Sequence, residues 1–436
     1  MMPSAPDAQG GRTITKPMSN TRWLAVALVC GLTTINYIDR VNIGVAAPSL
    51  MKDLALSPAS MGVLMSVFFW SYFFAMAPTG WFLNKYGPRL VMFWSCFGWG
   101  ATTMLTGLVQ GFYSFLAVRV ALGVTEAPGF PGSIRVVQVW VPERERTLAS
   151  SLFDSCARLG NAFAPPLVAY IIVLWGWQWS FVVTGGLAVL YSFVWLAMYK
   201  EPEDHPKITE SELAYIRQNE KLTGEGKVES KPISMVQLLT YPRVLLACLG
   251  MVFYMYFFST FNMWIPSYLV AVRGFDIKAM GIAAMYPYIA GVVLEIIGGY
   301  IFDQWYRRGA SISALRRTGM GVGLLGGAIG MYLTVQASSP GMAVVWLCVA
   351  MGVTSFGASN VSAIPSDIAP YGQSGGVASV IFAAGSIGSM LGPIITGVFA
   401  SGSMGYNGGL LAMGFCTLLG AICYMANTYK RLEPRT

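Results

Sequence analysis

Seven ionisable side chains stand inside stretches that are otherwise apolar: Asp39, Arg40, Arg119, Glu126, Asp154, Arg158 and Glu295. On insertion scales, a charge at the centre of a membrane helix costs on the order of 3 kcal/mol. Groups that expensive line a solute pathway or pair with one another. Six of the seven fall in the first half of the chain, three of them acids and three arginines. A site between the halves would therefore be charged on one wall and apolar on the other. Guanidinium groups grip carboxylates through charge-assisted, often bidentate hydrogen bonds, while the acids can take up or release protons. The chemistry within reach is the binding and movement of an anion. No nucleophile–base constellation is visible, so an enzyme is not expected.

Spacing sorts these groups into sets. Arg119 and Glu126 are seven residues apart, two helical turns, so they share one face about 10 Å from each other. Asp39 and Arg40 are adjacent and diverge by about 100°, so one faces the cavity while the other meets a neighbouring helix. Asp154 and Arg158 are four residues apart and can close on each other. Arg158, deeper in its stretch, is the better ligand candidate, and Asp154 reads as structural. Glu295 has no local partner and lies among Gly291, Gly298 and Gly299. A second proton site and a bond to a backbone group are both open to it. For the whole set, ion pairing between helices is the competing explanation.

Uncharged polar groups accompany the charges. Asn36 and Tyr37 precede Asp39, Tyr72 lies midway along the next apolar stretch, and Asn262, Trp264 and Tyr268 surround Pro266. Asn360 and Ser362 belong to a later stretch. Each can hydrogen-bond a hydroxylated ligand in an apolar cavity, and each can instead join two packed helices. The only histidine, His205, lies in a charged loop, so histidine is not the membrane proton carrier and no metal site is expected. Seven cysteines occupy apolar stretches without a CxxC pair and read as small core residues. Gly321 to Gly326 matches GxGxxG, but no strand precedes it, and it reads as a helix-packing face.

Helices in lipid must position these residues. Of 436 residues, 55% are hydrophobic and only 11% charged, with a mean hydropathy of +0.57. A soluble domain averages about 25% charged residues. A soluble enzyme, a disordered chain and a nucleic-acid-binding domain are all excluded on that ground. Crossing the hydrocarbon core takes about 20 apolar residues. Twelve stretches qualify, at 23–47, 59–83, 89–109, 112–134, 147–173, 178–199, 243–271, 278–302, 314–337, 341–365, 373–399 and 406–429. The fold class expected is an all-α membrane protein of twelve spans.

Basic residues set the orientation. With both termini cytoplasmic, 22 of the 28 Lys and Arg lie on the inside, and only Lys52, Arg273 and Lys278 on the outside. The same bias explains the net charge of +8 without nucleic acid. The expected organisation is a cytoplasmic tail (1–22), a six-helix bundle (23–199), a linker (200–242), a second six-helix bundle (243–429) and a short tail (430–436). Within the linker, Thr209 to Glu212 opens a short amphipathic helix. The halves repeat: Met61-Gly62-Val63 and Gly80-Trp81-Phe82 recur as Met280-Gly281-Ile282 and Gly299-Tyr300-Ile301, each 219 residues later. Parallel repeats with a site between them near the midplane are a transporter plan.

The segment Gly80-Trp81-Phe82-Leu83-Asn84-Lys85-Tyr86-Gly87-Pro88-Arg89 resembles the loop motif after the second helix of the major facilitator superfamily. Asn84 replaces that motif's usual acid, and Asp303 keeps it in the repeat; Gly80, Asn84, Arg89 and Asp303 are expected to be structural. Residues 36–42, the run from Arg119 through Glu126 to Gly132, and Trp264-Ile265-Pro266-Ser267-Tyr268-Leu269 resemble the anion:cation symporter family, which includes galactonate, glucarate, hexuronate and phthalate carriers and vesicular sialic acid and glutamate transporters. The resemblance implies the major facilitator fold and proton-coupled uptake of an organic carboxylate. Asp39 and Glu126 match its proton-titrating acids, and Arg40 and Arg119 match the arginines that neutralise acids or substrate. Two departures matter. Ile381 to Gly385 lacks the asparagine of sugar-acid members, and Arg158 replaces an uncharged residue of galactonate-type members. Both favour a ligand with fewer hydroxyls or a second carboxylate.

The expected function is therefore secondary active symport of a sugar acid or an aromatic or dicarboxylic acid, working as a monomer in a bacterial inner membrane. No cofactor is expected, only the proton as coupling ion. Three arginines facing three acids would leave no cation free until Asp39 or Glu126 is protonated. The alternative is a drug or metabolite/proton antiporter that exports its substrate; membrane arginines favour anions over its cationic cargo.

Overall fold

Prolines and capping side chains divide the chain into helices. A computed structural model describes residues 19–217, 235–370 and 373–432. The first half holds α1 (Thr21–Asp53), α2 (Pro58–Met76), α3 (Thr79–Thr106), α4 (Phe112–Glu126), α5 (Gly129–Trp140), α6 (Glu143–Trp175) and α7 (Trp177–Met198). Short helices α8 (Glu210–Arg217) and α9 (Met235–Leu238) lie between the halves. The second half holds α10 (Pro242–Ala271), α11 (Ile277–Arg307), α12 (Ile312–Gln336), α13 (Pro340–Ala358), α14 (Ile364–Ile368), α15 (Ser374–Ala400) and α16 (Gly405–Ala426). Among the described residues there is no strand.

Local chemistry starts several of these helices. The Ser57 hydroxyl accepts the Ser60 amide at 3.1 Å and Pro58 opens α2. Asp276 caps α11 through the Ala279 amide at 2.8 Å, and Ser339 caps α13 ahead of Pro340. A polar oxygen there satisfies an amide left without a partner, and proline at the first position has no amide to satisfy.

Ten helices among the described residues are long and apolar enough to cross a membrane. The expected third and fourth spans are outside that set, and breaks at proline or glycine mark them and their neighbours. The expected second span stops at Met76 before Pro78 and resumes as the first turns of α3, which then bends at Gly87, where φ is +74°. The expected fourth span breaks at Ala127–Pro128 into α4 and α5. Within the expected tenth span, which runs apolar from Pro340 to Ile368, the α-helix ends at Ala358, so Asn360 and Ser362 lie at an irregular turn inside the span, before α14. Residues 1–18, 218–234 and 433–436, which include most of both expected tails and part of the linker, lie outside the described residues.

The halves share one packing plan. In the first, α1 packs on α6, α2 on α4 and α3 on α7; in the second, α10 packs on α15, α11 on α13 and α12 on α16. Glycine permits close approach in these pairs: a Cβ on Gly185 would stand 2.5 Å from the Gly100 carbonyl oxygen, and one on Gly388 would stand closer still to that of Val252. Across the halves, α2 meets α15, α6 meets α11 and α1 meets α10. Close contacts gather at the end far from the linker. There a Cβ on Gly62 would meet the Pro393 carbonyl at 2.5 Å, and one on Gly281 would meet the Pro165 carbonyl at 2.8 Å.

Candidate substrate cavity between the bundles

Helices α1, α2, α4 and α6 from one half and α10 and α15 from the other enclose a cavity of about 200 Å³. That is room for about seven waters. The first half contributes Tyr37, Arg40, Phe68, Arg119, Glu126 and Asn161. The second contributes Tyr254, Met255, Phe258, Ser259, Asn262 and Ser389, with no charged group. One wall is ionic and the other aromatic, weakly polar and neutral.

Helix phase decides which charges reach this space. Arg40 turns toward α4, where its Nε donates to Glu126. Its guanidinium also lies over the rings of Tyr72 at 4.9 Å, Tyr37 at 5.2 Å and Phe68 at 5.5 Å. Such stacking stabilises a desolvated cation by about 0.5–2 kcal/mol per ring. Asp39 points the other way, toward Trp99 of α3 and Thr184 of α7. It is buried, and neither carboxylate oxygen has a hydrogen-bond partner. Asn42 nearby donates to Thr184 at 3.0 Å and accepts from Ser180 at 2.8 Å.

Arg119 is the exception to charge balance. It is 2% exposed, makes no ion pair among the described residues, and its Nε has no hydrogen-bond partner. Its closest aromatic support is Phe68, at 5.8 Å. On the same helix, Glu126 gives one oxygen to Arg40 and leaves the other unpaired. An unpaired buried cation is costly, by several kcal/mol for full removal from water. An arriving anion lowers that cost.

The expected balance of three arginines against three acids is thus redistributed. Arg158 pairs with Glu295 of the opposite half and not with Asp154. Asp154 is exposed and makes no ion pair among the described residues. Glu295, read as having no local partner, finds one across the interface. A free cation is present before any acid is protonated.

Other expected ligands separate into groups. Tyr37 and Asn262 line the cavity, and the Tyr288 hydroxyl donates to the Asn262 side-chain Oδ1 at 2.7 Å. Asn36 and Tyr72 line an adjoining chamber that shares Tyr37 and Arg40. Trp264, Tyr268, Asn360 and Ser362 are not among the lining residues. The Trp264 indole donates to Pro393 at 3.1 Å and the Tyr268 hydroxyl to Thr334 at 3.1 Å, while Asn360 accepts from Arg316. Arg89 donates to the Leu196 carbonyl at 2.9 Å, tying α3 to the end of α7; Gly80, Asn84 and Asp303 are exposed. Asn161, Tyr254, Ser259 and Ser389 line the cavity but were not singled out in the sequence. Asn161, one turn after Arg158, was the legible one.

The fold and cavity define a secondary transporter built from two repeated halves, and its relatives agree. A family model described as Major Facilitator Superfamily matches residues 29–315, and the chain belongs to that superfamily. It is 30% identical to the probable galactarate/D-glucarate transporter GarP of Escherichia coli (strain K12), over 95% of this chain and 96% of that one. It is 32% identical to the probable galactarate/D-glucarate transporter GudP of Bacillus subtilis (strain 168), over 93% and 92%. In fold it is similar to a bacterial homolog of the human lysosomal transporter Spinster in an inward-facing and occupied conformation, with a TM-score of 0.78, 17% identity and coverage of 94% and 97%. The protein is an integral membrane transporter, not an enzyme.

Proposed function

We propose that this protein takes up a sugar acid together with protons by alternating access. The observation that carries the reading is Arg119, a buried guanidinium on the wall of the cavity between the halves that makes no ion pair among the described residues. A carboxylate would accept two parallel hydrogen bonds from it. Tyr37, Asn262 and Asn161 supply donors and acceptors for hydroxyls at the same cavity. The names of the curated relatives support a sugar acid as the cargo.

Glu126 is the coupling acid in this reading. Protonation breaks its ion pair with Arg40, which then adds a second cation to the anion site. Proton and anion therefore bind cooperatively and reciprocally. Asp39, behind Arg40 and without a hydrogen-bond partner, is the second acid expected to exchange protons. Both termini lie in the cytoplasm of a bacterial cell, by the distribution of basic residues. The close contacts at Gly62 and Gly281 then seal the periplasmic end, and the cavity faces inward. The unit of transport is the monomer.

Purified full-length protein in proteoliposomes tests this. D-glucarate should accumulate when the outside is acidified, and a lipophilic cation should neither accumulate nor compete. Uptake indifferent to acidification would overturn the reading.

A further inference from the structure

Arg158 and Glu295 form the one ion pair among the described residues that joins the two halves; the others stay within a half or with the linker. The Arg158 side chain is 39% exposed and that of Glu295 15%, so the pair is not sealed in a packed core. Neither residue is among those that line the cavity, but neighbours of Arg158 are. Tyr254, a lining residue, lies within the field of Arg158. Asn161, one turn beyond Arg158 on α6, lines the cavity too, is 3% exposed, and its side-chain oxygen has no partner.

One cation therefore lines the space and a second stands one turn from a lining residue. Arg119 makes no ion pair among the described residues, while Arg158 is held by an acid from the opposite half. The geometry points to Arg158 as a second carboxylate subsite gated by Glu295, so that the cargo is a dicarboxylate whose second carboxylate enters with its own proton. This rests on the carboxylate-transport reading and narrows its substrate class.

The step balances in charge. Glu295 takes a proton and loses its bond to Arg158; the guanidinium then pairs with the distal carboxylate, and the unpaired Asn161 oxygen accepts from a cargo hydroxyl. Few other charges face Glu295. On α6 they are Arg158 and Asp154, and on α10 the nearby titratable group is Tyr254. Helix α13 carries no Asp, Glu, Lys, Arg or His. On α12, Arg316 is engaged by Asp367, and Arg317 by the Asn427 carbonyl. The pair also bridges the halves, so its opening is coupled to their movement.

The test compares D-glucarate, a six-carbon diacid, with D-gluconate, its monoacid counterpart, as ligands of the full-length protein between pH 6.5 and 8. The slope of log Kd against pH counts protons taken up on binding. In the unmodified protein the slope for glucarate should exceed that for gluconate by one proton, a further tenfold per pH unit. Glu295→Gln should abolish that difference. Arg158→Gln should weaken glucarate at least tenfold more than gluconate. Should Arg158→Gln fail to assemble with Glu295 left unpaired, the double variant Arg158→Gln/Glu295→Gln carries the same comparison. Equal slopes in the unmodified protein, or equal loss of both acids in the variants, would overturn the subsite alone. Binding of neither acid by folded protein would overturn the carboxylate reading and the subsite with it.

Discussion

Arg40 donates its Nε to Glu126 across the α1–α4 boundary, and this bond occupies an oxygen of the acid two turns from Arg119. One arginine is thereby held while the other waits. The difference between them sets the first two predictions.

Glu126→Gln keeps the side-chain shape but removes the charge that protonation would remove. Arg40 then stays released at every pH. Proton-driven accumulation of glucarate in vesicles should be lost, while exchange down its gradient should persist within about tenfold, since the anion site itself is intact. Accumulation against a gradient by this variant would show that the coupling acid lies elsewhere.

Arg119→Gln should separate stability from binding. Hydrogen bonds to a charged group contribute about 1.5–3 kcal/mol, so glucarate affinity should fall about 10- to 100-fold. With a buried unpaired cation removed, the ligand-free melting temperature should rise. A fall in both would mean that Arg119 has a structural partner. Scanning fluorimetry with and without ligand distinguishes the outcomes.

Gly62→Val should hinder closure at the end far from the linker. A Cβ there would stand 2.5 Å from the Pro393 carbonyl, and the approach is also tight from the facing side, where a Cβ on Gly397 would stand 3.3 Å from the Gly62 Cα. The backbones must separate, which favours the alternative conformation. Cysteines introduced near Met390 should become more reactive to a membrane-impermeant thiol reagent applied from outside, with uptake reduced at least tenfold.

The linker clip should be acid-sensitive. Glu212 of α8 accepts the Thr21 and Arg22 amides at the start of α1, both at 3.1 Å, and pairs with the Arg22 guanidinium at 3.0 Å. It caps a helix that its own N-terminal residue Asn20 leaves without a side-chain cap. Burial pushes the Glu212 carboxyl up, but bonds from Ser19, Arg22 and Thr21 outweigh it and hold the group below the usual range. A carboxyl depressed in the folded state stabilises fully above its ordinary value, about 4.3, and loses that contribution as pH falls through the folded value. Protease cleavage near α8 should therefore rise below about pH 4, and Glu212→Ala should show it already at neutral pH.

Much of the architecture was legible in the chain. Apolar stretches marked the spans, because lipid tolerates only backbones that satisfy their own hydrogen bonds. The repeat offset foretold two halves, and these share one packing plan. What misled was local. Pro78 and Pro128 split spans that looked continuous, since proline removes an amide and crowds the preceding turn. Asn360 and Ser362 looked like helix because their neighbours are apolar, yet α13 ends at Ala358 and they sit at a turn within the span.

Composition and order alone determined a helical membrane protein with its intramembrane charges concentrated in one half, because both properties follow from the free energy of placing a side chain in hydrocarbon. Which arginine holds which acid was decided only by folding. Arg158 passed over Asp154, one turn away, for Glu295 on a distant helix, and Arg119 was left without an ion pair among the described residues. Ion pairs obey distance in space, and the rotation of α4, α6 and α11 about their axes is fixed by packing against helices far away in the chain.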